Sequence, residues 1–316
     1  MNRAIEAHTA GGASEYLSAS AWRPKITVVI PAYNEQDAVR ATVEQVRRAL
    51  DAASVSHEII VVNDGSSDNT MAEARACDAR VIDFRDNNGY GHALKAGIAA
   101  SDSDLVAILD ADGTYPPDAL PAMIGLAASS DMVVGDRGQG MSNVPLIRRP
   151  AKWMLGVLAS FLARRRINDV NSGLRVFRRP ALARFIPLLP DGYSFTTTIT
   201  LCMLASGLTV VYHPIAYGRR IGHSKIKARH FFKFVFLVFR LTILFRPLRI
   251  FLPLGAVLLA AGIFNAAYDP SPASPSAILV SCVVGALGVW SLGFWADVLA
   301  RARLPRRQPD RYEVSP

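Results

Sequence analysis

The sequence predicts an α/β fold, a mostly parallel sheet with helices on both faces, followed by a C-terminal pair of membrane-crossing helices. Three observations carry this. From Lys25 to Arg137, short β-branched apolar runs alternate with segments of helical periodicity, the pattern of strand–helix–strand units in a parallel sheet. Apolar residues make up 51% of the 316, and the excess is concentrated in the last quarter. There, residues 250–268 and 277–296 carry no charged side chain, and each is long enough to cross a ~30 Å hydrocarbon core.

The elements follow in order. Residues 1–22 lack an apolar core segment and read as a flexible leader, not a secretory signal. "KITVVIPAY" is a buried strand. "NEQDAVRATVEQVRRALDAA" has helical spacing, with Asn34 as its N-cap. "HEIIVVND" is a second strand, "GSSDNTMAEARAC" leads into a helix, and "ARVIDF" is a third strand. "GHALKAGIAAS" is helical, "DLVAILDAD" is a fourth strand running through Asp112, "PDALPAMIGLAAS" is helical and "DMVVGDR" is a fifth strand. Beyond residue 140 the pattern loosens. "PAKWMLGVLASFLARRR" reads as an amphipathic helix, "GYSFTTTITLCMLASG" as a helix start lining the site or capping itself, and "TVVYHPIAY" as a short strand.

The net charge of +9 is concentrated between Arg219 and Arg249 and between Arg301 and Arg311, beside the apolar stretches. That placement points to anionic lipid or phosphate partners more than to nucleic acid. In "KIKARHFFKFVFLVFRLTILF", Arg229, Lys233 and Arg240 share one narrow arc at about 100° per residue, as in a helix lying in the membrane interface. The link "DPSPASPS" has no Lys or Arg, whereas both outer flanks are rich in them. The positive-inside rule then puts the preceding domain and both termini in the cytosol, with the spans forming a hairpin in the plasma membrane. Cys77, Cys202 and Cys282 are isolated, without metal-type spacing, and read as reduced thiols.

The chemistry is expected at the strand ends, where ligands of open α/β sheets bind. Asp110 and Asp112 end an apolar strand one residue apart. On a continuing strand their side chains would share one side and repel, unless the chain turns or a divalent cation lies between them. Mg²⁺ or Mn²⁺ suits such carboxylates and bridges to substrate phosphates. Asp64 is open to an Asx-turn with Ser66 and Ser67, and the glycines of "NNGYG" to close backbone approach. His92, His213 and His223 are scattered and are assigned no chemistry.

The motifs "VVIPAYNE", "VVNDGSSDNT", "NNGYGHALKAGI", "LDADGTYPP", "DMVVGDR" and "DVNSGLRVFRR", in this order over roughly residues 25–225, resemble the family 2 glycosyltransferases of the Rossmann-like GT-A fold. Within that family the chain is similar to polyprenyl-phosphate sugar synthases of the dolichol-phosphate mannose synthase type. "RRIGHSKI" matches their Arg-x-x-Gly-x-Ser-Lys stretch, and the two-span hairpin is typical of bacterial members. The resemblance implies a nucleotide-sugar site at Pro31, Ala32, Tyr33, Glu35, Asp64, Lys95, Asp110, Ala111 and Asp112. Asp110 and Asp112 would meet metal and diphosphate, with Asp112 the direct ligand. Arg137, Ser172, Arg175, Arg219, Ser224 and Lys225 would meet the acceptor phosphate, and Arg137 and Arg175 would join the two acids in catalysis. Asn63, Thr114 and Leu174 stand where the family usually has Asp, Gln (in many lipid-phosphate synthases) and Phe.

The implied domain order is a GT-A domain over 23–225, a juxtamembrane helix over 226–246, two spans within 247–300 and a basic cytosolic tail over 301–316. The expected reaction is inverting transfer of one sugar from GDP-mannose or a UDP-hexose to a polyprenyl phosphate. Two alternatives stand beside it: a hydroxyl acceptor in envelope polysaccharide or glycolipid synthesis, and a non-catalytic nucleotide-sugar-binding protein. Against the first, no Gln-x-x-Arg-Trp stretch is present and two spans are few for a conducting pore. A homo-oligomer is open.

Overall fold

A computed structural model describes residues 22–138, 169–218, 236, 239–268 and 277–303, with side chains to residue 300. The leader before Trp22, the expected helix over 150–166, Arg219, Ser224 and Lys225, most of the juxtamembrane helix, the link 269–276 and the tail beyond 303 lie outside the described residues. The chain divides into two compact units, one holding the described residues up to 218 and the other those from 236 onward.

The first unit is built on seven strands: β1 (Ile26–Ala32), β2 (His57–Asp64), β3 (Arg80–Phe84), β4 (Leu105–Ile108), β5 (Met132–Asp136), β6 (Arg175–Arg178) and β7 (Val210–Pro214). They lie in the order β3-β2-β1-β4-β6-β5-β7. All neighbours pair in parallel except β6, which runs antiparallel between β4 and β5. Every residue of β1 is buried, as a central strand covered on both faces must be. Alternation divides its side chains. Val28 and Ile30 join a core with Val39, Val43, Val46 and Leu50 of helix α1 (Val39–Ala52). Val29 faces the other way, where a Cβ on Gly97 would fall 2.3 Å from its Cγ1. Gly97 therefore lets helix α3 (Tyr90–Ala99) lie close on β1 and β2.

The remaining helices of this unit are α2 (Thr70–Arg75), α4 (Leu120–Leu126), α5 (Arg179–Ala183) and α6 (Phe195–Ala205). Helix α1 and strand β4 differ from the sequence expectation. Helix α1 starts at Val39 without a side-chain cap, because Asn34 sits at φ 54° and its side chain accepts the Ser67 N–H instead. Strand β4 stops at Ile108, and Ala111 and Asp112 already belong to a turn.

The second unit contains helices α7 (Leu248–Ala267) and α8 (Ala277–Arg303), both long and apolar enough to cross a membrane. They are antiparallel: Phe251 meets Gly293, Gly255 meets Trp290 and Gly262 meets Cys282. A Cβ on Gly255 would fall 2.2 Å from Trp290 Nε1, so small residues set the spacing, as in close-packed membrane helix pairs. Trp290 Nε1 donates to the Leu252 carbonyl at 3.1 Å. Most of the apolar surface, including Phe264, Leu292 and Trp295, faces outward.

Candidate active site

The loops after β1 and β2 are stitched together by side chains that read in the sequence as ligands or caps. The Asn34 N–H donates to Ser66 Oγ, the Glu35 N–H to Thr70 Oγ1 and the Asn69 N–H to Gln36 Oε1. Pro31 and Ala32 are buried and Tyr33 is half-buried, so "PAYNE" forms a fixed wall over these strand ends. Asp64 is almost fully buried, and its two oxygens accept the backbone N–H groups of Asn88 and Gly89, each at 2.9 Å. Its carboxylate thus shapes the turn before α3.

The glycines of "NNGYG" do allow a close backbone approach, at the N-terminus of α3. The Asp191 carbonyl accepts the N–H groups of Gly91 and His92, at 2.7 and 3.1 Å. A Cβ on Gly91 would fall 2.1 Å from the Pro190 carbonyl oxygen, so glycine is needed for the segment Pro190–Tyr193 to lie there. Lys95, expected at the nucleotide, pairs with the Asp191 carboxylate at 2.8 Å.

Asp110 and Asp112 find different partners where the chain turns. Asp110 Oδ1 accepts a 2.8 Å hydrogen bond from the Tyr90 hydroxyl. Burial, then the Asp110 charge, push the Tyr90 phenol well above its ordinary pKa and keep it a donor. Asp112 is 5% exposed, and its Oδ1 accepts the Thr114 hydroxyl at 2.6 Å and the Thr114 N–H at 3.2 Å. Gly113 takes φ 70°, which lets the chain reverse between them. Thr114 therefore orients Asp112. The Thr114 carbonyl accepts the N–H of Gly218 at 2.8 Å, and Arg219 is the next residue in the chain.

Arg137, just past β5, forms a two-pronged ion pair with Asp169, Nε to Oδ2 at 2.7 Å and Nη2 to Oδ1 at 2.9 Å. Its guanidinium lies 5.2 Å over the Tyr217 ring, which meets Tyr115 edge-on. Two of the five N–H donors of a guanidinium go to Asp169. That pairing fixes the plane of the fork.

Arg175 does something else. It is 0% exposed, and Nε donates to the Ser172 carbonyl, Nη2 to the Val170 carbonyl and Nη1 to Thr200 Oγ1, at 2.8, 2.9 and 2.6 Å. Burial draws its pKa down, opposed by the charge of Asp169 among other groups. Arg175 braces residues 170–172 from within the fold. Ser172 is likewise fully buried. The threonines of α6 serve the same brace from below, Thr200 through Arg175 and Thr197 through a hydrogen bond to Asn171.

Among the described residues, no group of three or more His, Cys, Asp or Glu could hold a metal by itself. The donor set at the end of β4 is two carboxylates, hard oxygen ligands that suit Mg²⁺ or Mn²⁺ with a shell completed by diphosphate and water. The residues fit such an ion, with Asp112 and Asp110 as the groups that would hold it.

Residues 27–185, half of the chain, match the model of the glycosyl transferase family 2 domain. The chain belongs to that family. This glycosyltransferase is 33% identical over 203 residues to a dolichyl-phosphate hexose transferase of Haloferax volcanii, a match covering 64% of this chain and 86% of the relative. It is 31% identical to an undecaprenyl-phosphate 4-deoxy-4-formamido-L-arabinose transferase of Yersinia pestis, over 55% of this chain and 58% of that enzyme. A solved structure of Mycobacterium tuberculosis glucosyl-3-phosphoglycerate synthase with uridine diphosphate superposes with a TM-score of 0.56 at 19% identity. It covers 76% of this chain and 86% of that one, a likeness of fold. The fold of this glycosyltransferase is GT-A, as the motif order implies.

Sequence reasoning missed Tyr90, Asp169 and Tyr217. Each lies inside or beside a recognised motif, but its partner is distant in the chain, so local spacing carries no signal. The Arg137–Asp169 pair yields a pH test. Burial raises the Asp169 pKa, but the hydrogen bonds and charge of Arg137 outweigh it and hold the carboxyl below its ordinary value. A carboxyl with a depressed native pKa contributes stability above its unfolded value, and loses it as pH falls through the native one. Asp169→Asn is therefore expected to cost about 1–3 kcal/mol at pH 7. Its melting-temperature gap to the unaltered protein should narrow below pH ~4. A gap constant from pH 7 to 3 rules out a contribution from the charge.

Proposed function

We propose that this glycosyltransferase moves a single sugar from a nucleoside diphosphate sugar to a polyprenyl phosphate at the cytosolic membrane face, with inversion at the anomeric carbon. The observation that carries the reading is the arrangement at one end of the sheet. Asp110 and Asp112 are held there by Tyr90 and Thr114. Nearby, Tyr115 meets Tyr217, and Arg137 lies over the Tyr217 ring. Negative oxygens and a fixed cation are what two phosphate-bearing substrates need. The relatives support the acceptor: one is named for dolichyl phosphate and another for undecaprenyl phosphate. The apolar pair α7 and α8 supports membrane residence, and the basic flanks support cytosolic placement of the catalytic domain and both termini.

The domain order that accompanies this reading is a leader over 1–22, a GT-A domain over 23–225, an interfacial helix over 226–246, the hairpin within 247–300 and a basic tail. The wall of Pro31, Ala32, Tyr33 and Glu35 encloses the nucleotide. Asp112 and Asp110 orient the diphosphate, and a divalent ion held there would neutralise charge on the departing nucleotide. Arg137, its plane fixed by Asp169, holds the acceptor phosphate in line with the anomeric carbon. The basic stretch starting at Arg219, next to the Gly218 anchor, adds Ser224 and Lys225 to that phosphate. The acceptor needs less help from a general base than a sugar hydroxyl does, because a monophosphate with a second pKa of about 6 is largely ionised at neutral pH.

The test is transfer of radiolabel by membranes containing the protein, with GDP- and UDP-sugars offered singly, polyprenyl phosphate as acceptor, and Mg²⁺, Mn²⁺ or chelator. Ion-dependent label in the organic phase is expected. Label only in aqueous or polymeric product overturns the lipid-phosphate acceptor.

A further inference from the structure

Asp110 is fixed on both sides by groups that no motif assigns. Its Oδ1 accepts the Tyr90 hydroxyl at 2.8 Å. Its Oδ2 lies against Gly173, where a Cβ would fall 2.3 Å away. Gly173 is itself held, its N–H donating to the Tyr115 hydroxyl at 2.7 Å. Tyr90, the first residue of α3, stacks on Tyr193, with ring centroids 5.8 Å apart and planes 20° from parallel. Tyr193 belongs to the segment Pro190–Tyr193 that covers Gly89 and Gly91 and pairs with Lys95.

A tyrosine kept only for packing would bury its ring and turn its hydroxyl to water or a core carbonyl. Here the ring partner is 51% exposed, and the hydroxyl partner is a half-buried acid at the open end of the sheet. The pair costs exposed aromatic surface and gains a fixed carboxylate. Groups that orient a ligating carboxylate from behind commonly matter nearly as much as the carboxylate itself.

We propose that Tyr90 is a positioning residue for Asp110, and that Tyr193 fixes the Tyr90 ring, so that the Pro190–Tyr193 segment sets the rotation of the Asp110 carboxylate. The inference rests on the reading of Asp110 as part of the metal–diphosphate site. Tyr90→Phe isolates the effect, since it keeps the ring and its stack and deletes one hydroxyl.

The experiment is a Mn²⁺ titration of the full-length protein in detergent, followed by the electron paramagnetic resonance signal of free Mn²⁺, with UDP and with GDP in parallel. Tyr90→Phe is expected to weaken Mn²⁺ binding in the nucleotide complex by about tenfold or more, with the melting temperature kept within a few degrees. Tyr193→Ala should weaken it less, because the hydroxyl remains. In an Asp110→Asn background, Tyr90→Phe should add nothing, since its effect passes through the carboxylate. Wild-type affinity in Tyr90→Phe, or losses that add in the double variant, overturn the proposal. Wild-type affinity in Tyr193→Ala overturns the role of the segment. If the unaltered protein binds no Mn²⁺ with either nucleotide, the site reading fails along with the inference, and that is seen before any substitution is made.

Discussion

Asp112→Asn is expected to lower sugar transfer by about a thousandfold while the protein folds and inserts normally. The size of the effect follows from what the side chain has to do. Asp112 is 5% exposed and its carboxylate is oriented by Thr114 through two hydrogen bonds to one oxygen. Asparagine keeps a carbonyl oxygen for those bonds, so the turn at Gly113 survives. What it removes is the negative charge, and with it most of the attraction for a divalent ion in a site of few ligands. Among the described residues no cluster of three ligating side chains stands ready to compensate. Alanine would be the poorer test, because it also strips Thr114 of its partner and confuses loss of charge with loss of the turn. The measurement is initial rate at saturating nucleotide sugar, with the melting temperature as the control. Activity within tenfold of the unaltered protein sinks the metal–diphosphate role of Asp112.

The legible and illegible parts of this glycosyltransferase divide along a physical line. Strands β1, β2, β4 and β5 announce themselves because a strand buried on both faces must be a run of apolar residues, as "VVI" and "IIVV" are. Helices α7 and α8 announce themselves through long apolar runs without charge, long enough to cross a membrane. Strand β6 does not, since "RVFR" carries an arginine at each end and reads as surface. It is central in the sheet only because Arg175 finds three oxygen partners inside the fold. The same limit applies to the site. Its positions were found by motif, but which polar groups face a ligand and which face the protein depends on partners far away in sequence. Asp64 bonds a turn near residue 88, Lys95 pairs with Asp191, and Arg137 pairs with Asp169. None of these pairings has a local signature, so polar residues in strand-end motifs look alike until the chain is folded.

Arg175 is where that ambiguity can be put to a decisive measurement. Read from the motif alone, it is a cation for the acceptor phosphate, and Arg175→Lys should then fold normally and raise the KM for polyprenyl phosphate. Read from the fold, the planar fork spans Ser172, Val170 and Thr200 at once, which an ammonium on a flexible stem does not do. Lysine would leave at least one buried carbonyl or hydroxyl without a donor and a charge without its full set of partners. Each such loss costs about 1–3 kcal/mol, and together they are expected to lower stability by about 3–5 kcal/mol, a melting-temperature fall of roughly 10 °C. Transfer measured well below that temperature should then keep an unchanged KM for the acceptor, with the maximum rate following the folded fraction. A normal melting temperature joined to a raised acceptor KM would return Arg175 to the acceptor site. The contrast with Arg137 sharpens the test. Arg137 is only part-buried and keeps donors beyond its pair with Asp169, so Arg137→Lys should show the opposite split, a raised acceptor KM and a small change in stability.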